Sequence, residues 1–301
     1  MLYPGSFESK IGFDRIKVLL EEYCTGRIGK ELVRGMMFTS DPGQVTVSLD
    51  QTWEMQQLLG SSDPPVIVDS DDIVPVLDKI RVEGTFAAED ELLSLSSHLD
   101  ILRALLSWFR KADNEICPTL KAMSADVKYY PAVASVIDRV IDRHGSVKDT
   151  ASAKLRDIRS ELASLSAQVT RKLQSVLKSA RTEGIVDPDS EISVRNGRCV
   201  IPVNAYNKRK IAGLVHDQSA SGKTVYIEPA EVVELNNEIL GLEYEEKREI
   251  VRILVSVADM IMTYLDEMIS SAAWLGQIDF ISARARLGNR LGSVRPSLTG
   301  S

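Results

Sequence analysis

The stretch ASAKLRDIRSELASLSAQVTRKLQSVLKSA, residues 151–180, decides the fold. Its apolar residues fall at Ala151, Leu155, Ile158, Leu162, Leu165, Val169, Leu173, Val176 and Ala180, in steps of four and three, with no internal Gly or Pro. That period places them on one face of a single helix that starts near Val147 and runs about nine turns. A helix this long with one apolar stripe needs a second helix to cover it, so the pattern predicts an antiparallel coiled-coil arm.

The covering helix follows Glu228-Pro229, where Pro is well tolerated in a first helical turn. Val232, Leu235, Ile239, Leu242, then Ile250, Ile253, Leu254, Val257, Ile261, Leu265 and Met268 form its stripe. Between the two helices, from about Ile185 to Ile227, the residues become β-branched and alternating around Asn196-Gly197, a two-residue hairpin turn. Upstream of Gly145 short helices alternate with turn signals such as Asp41-Pro42-Gly43 and Cys117-Pro118. Leu92, Leu95, Leu99, Leu102, Leu105, Leu106 and Phe109 mark one of those helices, and Pro65-Val66-Ile67-Val68 is the one candidate strand. The chain thus reads as mainly α: a helical core domain at 1–146, an ascending helix at 147–184, a β-rich tip at 185–228, and a returning helix with further core helices at 229–301.

A length of 301 residues suits two domains or one elongated body. Hydrophobic residues at 44%, charged residues at 26% and a mean hydropathy of −0.06 exclude a disordered or low-complexity chain. No apolar stretch approaches the roughly 20 residues of a membrane span. With no basic region and apolar run at the start, and Cys24, Cys117 and Cys199 far apart, a cytoplasmic, reduced location is expected.

The net charge is −7, yet residues 192–227 carry Arg195, Arg198, Lys208, Arg209, Lys210 and Lys223 against the single acid Asp217, a local +5 that leaves −12 elsewhere. A positive tip on an acidic body fits contact with a polyanion at one place. The turn at Asn196-Gly197 sets Arg195 opposite Arg198, Val194 opposite Cys199 and Ile192 opposite Ile201, leaving Ile192, Val194, Cys199, Ile201 and Val203 on an apolar face. Facing like charges cost about 0.2–1 kcal/mol, which a bridging anion would relieve. Tyr206, next to Lys208-Arg209-Lys210, suits contact with sugars or bases, or plain packing. The competing reading of the whole cluster is a solvated charged face.

Ser221-Gly222-Lys223-Thr224 looks like the end of a phosphate-cradling P-loop. However, Asp217 stands where that loop needs its first Gly, and Thr224-Val225-Tyr226-Ile227 reads as a strand rather than a helix. The segment is therefore a turn between two strands. Gln218-Ser219-Ala220-Ser221-Gly222 lacks the first glycine of a nucleophile elbow, and strict strand alternation sends His216 and Asp217 to opposite faces. His98, His144, His216 and the three cysteines have no metal-ligand spacing, and His98 reads as a structural residue on a helix. No catalytic residue, metal site or cofactor site is expected within 1–301.

The run Leu214-Val215-His216-Asp217-Gln218-Ser219-Ala220-Ser221-Gly222-Lys223-Thr224-Val225-Tyr226-Ile227-Glu228-Pro229, followed by Glu234-Leu235-Asn236-Asn237-Glu238, resembles the signature of the second-class bacterial MutS paralogues. Lys10-Ile11-Gly12-Phe13-Asp14-Arg15-Ile16 is similar to that family's start, and the resemblance covers the whole chain in order. It implies a helical MutS-type core and long antiparallel lever helices with a small antiparallel β clamp inserted at their tip. It also implies a homodimer of the intact protein that encircles nucleic acid, ATP and Mg held in an ABC-type ATPase domain, and often an endonuclease domain. No complete Gly-x-x-x-x-Gly-Lys-[Ser/Thr] occurs here, so those parts would lie outside a segment that is itself monomeric or weakly dimeric and inactive. The lack of a Phe-x-Glu wedge argues against mismatch recognition. The resemblance makes branched or duplex DNA the expected partner, in recombination suppression and DNA repair, and makes the ribosome and its rRNA, in rescue of collided ribosomes, the alternative. A structural arm that docks protein competes with both. On the nucleic-acid readings Arg195, Arg198, Lys208, Arg209, Lys210, Lys223 and Tyr206 are the contacts.

Overall fold

The computed structural model describes residues 7–68 and 71–298. In chain order its helices are α1 (Phe7–Lys10), α2 (Phe13–Tyr23), α3 (Arg27–Arg34), α4 (Pro42–Leu59), α5 (Val74–Ile80), α6 (Glu89–Lys111), α7 (Pro118–Ser124), α8 (Pro131–Val140) and α9 (Ala153–Thr182). Strands β1 (Ser193–Arg195), β2 (Arg198–Asn204), β3 (Gly213–Gln218) and β4 (Thr224–Pro229) precede α10 (Val233–Met262) and α11 (Leu265–Leu291). The protein is mainly α with a small antiparallel β insert, as the periodicity predicts. The expected strand at Pro65-Val66-Ile67-Val68 is irregular chain; Pro64 and Pro65 have no N–H to give a ladder. Among the described residues no helix is long and apolar enough to cross a membrane.

The chain forms two compact units, one of residues up to Ser146 together with Leu254 onward, the other of Val147–Ile253. In the first, the α6 stripe of Leu92, Leu95, Leu99, Leu102, Leu105, Leu106 and Phe109 is fully buried, each such side chain contributing about 1.5–3 kcal/mol. Helix α11 packs against α2, α3 and α4. There Asp279 accepts hydrogen bonds from the backbone N–H groups of Thr25 and Gly26 at 2.9 and 3.0 Å and from the Thr25 hydroxyl at 2.9 Å. Gly26 caps α3 without a side chain of its own, so a carboxylate from a distant helix satisfies donors that the local sequence leaves open. A side chain at Gly29 would overlap that carboxylate, which is why the position has no Cβ. Buried Glu54 does the same for α7, accepting from Thr119 and Leu120 N–H at 3.0 and 2.9 Å.

In the second unit, α9 begins at Ala153, not near Val147. Ser152 ends the preceding Asp149–Ala151 3₁₀ turn and caps the helix, its hydroxyl accepting from Leu155 N–H at 3.0 Å. The pairing of α9 with α10 is antiparallel. Ser152 donates to Glu249 at 2.7 Å, Arg159 to Glu246 at 2.6 Å, and the Lys172 ammonium to the Glu231 carbonyl at 3.2 Å, so partners descend through α10 to the 3₁₀ turn before it as α9 ascends. Arg252 and Ser152 hold the Glu249 carboxyl down at about 2. Leu155, Ile158, Leu165, Val169, Leu173 and Ala180 are buried as the stripe predicts, but Ala151, Leu162 and Val176 are only half-buried, and Leu177, which the stripe passed over, is buried in place of Val176. The second stripe is not one helix to Met268: α10 ends at Met262 and Tyr264 leaves helical geometry at φ −122°, ψ 18° before α11. At the far end of α9, Val169, Leu173 and Leu177 share a core with Ile201 and Val203 of β2 and Val225 and Ile227 of β4.

Leu173→Asp should therefore cost on the order of 4 kcal/mol, by burying a charge between helix and sheet, while Leu162→Asp costs well under half as much; thermal unfolding of the two variants checks this. A second expectation concerns His98, which is buried with Nε2 3.1 Å from the Ser271 hydroxyl and whose pKa burial pushes down to about 4. Above its ordinary 6.5 the ring is neutral in both states. Between about 6.5 and 4 only the unfolded chain takes the proton, so stability falls as pH falls, by up to about 1.4 kcal/mol per pH unit. Denaturation midpoints of His98→Gln between pH 6.5 and 5 should show a shallower decline than those of the parent.

Candidate nucleic-acid interface

The four strands pair in the order β1-β2-β4-β3, all antiparallel. Asn196 at φ 52° and Gly197 at φ 75° supply the two left-handed residues that a tight primed turn demands. The register is as the spacing predicts, Arg195 opposite Arg198 and Val194 opposite Cys199. The ladder begins at Ser193, so the expected Ile192–Ile201 pair lies outside it. Ile201 and Val203 are buried with Ile192 and Cys199 packed beside them, whereas Val194 is 60% exposed and does not belong to the apolar face.

No bridging anion is needed between the facing arginines, because each has its own carboxylate. The Arg195 guanidinium lies over the Tyr226 ring, 4.1 Å from its centroid, and pairs with Asp217 at 3.2 Å. Arg198 donates to Glu228 Oε1 at 2.9 Å and to Asn237 Oδ1 at 2.7 Å. Glu228 is fully buried and also meets the Asn236 amide at 2.7 Å and His216 Nε2 at 2.5 Å. Burial opposes its charge, but hydrogen bonds from Asn236, His216 and Arg198 outweigh burial and hold the carboxyl below its ordinary range. Strict alternation fails at His216: a bulge between Val215 and Asp217 sets two residues against one. Both His216 and Asp217 thereby reach partners on the face of β4 that carries Tyr226 and Glu228. The sequence pattern left Glu228, Asn236 and Asn237 without a role. Their one signal was membership of the signature run.

The other expected contacts face solvent. Lys208, Arg209 and Lys210 are exposed just after the Ala205–Asn207 3₁₀ turn, and Lys223 is exposed in the β3–β4 turn. Those two turns are joined, since Ala205 N–H donates to the Lys223 carbonyl at 2.9 Å. Ser219-Ala220-Ser221-Gly222-Lys223 is the strand-to-strand turn expected in place of a P-loop: Ser219 N–H donates to Thr224 O at 2.9 Å and Gly222 N–H to Ser219 O at 2.8 Å. Tyr206 is 82% exposed. Periodicity also passed over the outer face of α9. No acid occurs between Glu161 and Glu183, and Arg171, Lys172, Lys178 and Arg181 are exposed there. Lys172 and Lys210 border a groove of about 740 Å³ with Ser175, Ser179, Glu183 and Glu231.

One unit carries a pair of long antiparallel helices and a small antiparallel sheet with exposed basic turns, and the other is helical. No protein-family model matches the chain. It is 34% identical over 286 residues to endonuclease MutS2 of Geobacillus sp. (strain WCH70), 30% over 290 residues to that of Latilactobacillus sakei, and 31% over 294 residues to that of Finegoldia magna. These matches take in 94–95% of this chain and 36% of each relative, so the chain spans about a third of the length of the curated relatives it matches. The chain is a MutS2-like segment.

The buried pair separates the two arginines by experiment. Arg198→Ala leaves Glu228 short of its main cation and should cost about 3 kcal/mol. Arg195→Ala removes only an exposed pair and a ring contact and should cost about 1. Chemical denaturation of both variants checks the order.

Proposed function

We propose that the β tip is a phosphate-backbone clamp through which this MutS-like protein holds branched or duplex DNA without reading its bases, in the service of recombination suppression. The observation that carries the reading is the sorting of charge. Arg195 and Arg198 are engaged by Asp217 and Glu228, while Lys208, Arg209, Lys210 and Lys223 stand exposed on two linked turns. The four exposed cations are the phosphate contacts, and the two arginines position them. The intact protein would be a cytoplasmic homodimer, with ATP, Mg and the nuclease chemistry named in its relatives supplied outside residues 1–301. The same cations suit rRNA phosphates, which keeps a colliding ribosome as the alternative target. A protein-docking tip is favoured by one observation, the exposure of Val194, Leu214 and Val215 on the edge strands at 60, 53 and 55%.

Salt dependence tests this. Four phosphate contacts give a slope of log affinity against log salt near about −3.6, and reversing Lys208, Arg209 and Lys210 to Glu should bring it to about −0.9, at roughly 0.9 per phosphate. Affinity should drop alike for every DNA sequence. Fluorescence anisotropy with duplex DNA, a four-way junction and structured RNA reads out both slope and preferred partner. An unchanged slope in the triple variant would reject the clamp.

A further inference from the structure

The turn that carries the cations is built inside out. Asn207, a polar residue, is 3% exposed, and its amide donates to the carbonyls of Gly184 and Ile185 at 3.3 and 3.1 Å. Its neighbour Tyr206, an aromatic residue, is 82% exposed. Burying a tyrosine ring is favourable, and the ring is usually the part a fold hides. Here the ring is left outside. The turn is pinned by Ala205 N–H to the Lys223 carbonyl at 2.9 Å and by Lys210 N–H to the Asn207 carbonyl at 2.8 Å. Asn207 is anchored inward on this 3₁₀ turn and the adjacent Tyr206 side chain points outward. The plain-packing reading of Tyr206 is therefore excluded by its exposure.

The surroundings are as particular as the ring. Residues 204–212 contain no acid, and Lys208, Arg209 and Lys210 follow the ring directly, all exposed. The acid tied to this segment is Asp187, which accepts from the Asn204 amide at 3.2 Å. Phosphates need only the cations, and the faces of bases in an uninterrupted duplex are hidden within the stack. A solvent-facing ring on a pinned turn beside three cations matches instead the pairing of stacking platform and backbone groove that holds single strands.

We propose that Tyr206 is a stacking platform for an unpaired nucleobase, so that the tip selects nucleic acid with exposed bases, such as a gap, flap or open branch point, over continuous duplex. The proposal rests on the phosphate-clamp reading and deepens it by naming the substrate class. Residues 1–301, with Tyr206→Ala and Tyr206→Phe variants of unchanged circular dichroism, would be titrated against a continuous duplex and against the same duplex carrying a short gap with 2-aminopurine at its centre. The parent should bind the gapped DNA more tightly and quench the probe. Tyr206→Ala should lose roughly 5- to 150-fold on gapped DNA, the range expected for one base–aromatic stack, with duplex affinity and salt slope unchanged; Tyr206→Phe should retain both preference and quenching. Equal parental affinity for the two DNAs, or parental affinity of Tyr206→Ala for the gap, overturns the stacking role alone. An equal loss of Tyr206→Ala on both DNAs overturns it too, since that marks a structural role for the turn. Failure of the parent to bind either DNA overturns the clamp reading and this one with it.

Discussion

The Glu228 carboxylate is the interaction on which the tip depends. A fully buried charge is tolerable only when paired and hydrogen-bonded on all sides, and this one is met by Arg198 from β2, His216 from β3 and Asn236 from α10. One side chain on β4 thus ties the two neighbouring strands of the sheet to the helix that follows it. The bulge at His216 leaves that ring on the face of Glu228 and brings Asp217, which an unbulged β3 would turn to the other face, round to the same side. Four residues of the signature run, His216, Glu228, Asn236 and Asn237, belong to this lock. Their place is structural, and the solvent-facing chemistry of the tip is carried by neighbours.

That division explains how a +5 segment presents its charge. Two cations face inward or sideways to carboxylates of the sheet itself, and four face out on turns that the lock and the Ala205–Lys223 hydrogen bond hold together. A charge held on a fixed backbone loses less freedom when it meets a phosphate than one on a floppy loop, which favours association through pre-organisation. The part of α9 beyond Glu161, which holds no acid and exposes Arg171 and Lys178, extends the positive potential along the helix.

Buried carboxylates also organise the first unit, where Asp279 and Glu54 each close the N-terminus of a short helix far away in sequence. Helices of eight and seven residues, as α3 and α7 are, have little stability of their own. An anionic partner at the positive end of the helix, together with packing, supplies what the local sequence does not.

Sequence alone determined the helical pair, the hairpin at Asn196-Gly197, the turn in place of a P-loop, the buried face of α6 and the segment's likeness to MutS proteins. All but the last, which is a resemblance carried by the signature run, follow from periods and turn chemistry acting over a few residues. Tertiary structure alone decided that Leu162 sits at the margin of its stripe, that the second stripe breaks at Tyr264, that His216 and Asp217 share a face, and which of six cations remain outward. Asn207 inside and Tyr206 outside could not be read from their order either. The physical reason is range: a helix or turn is dictated by neighbours three or four residues away, whereas the partner of Arg198 lies thirty residues along the chain on another strand, and a charge is free or spent according to what the folded chain brings against it.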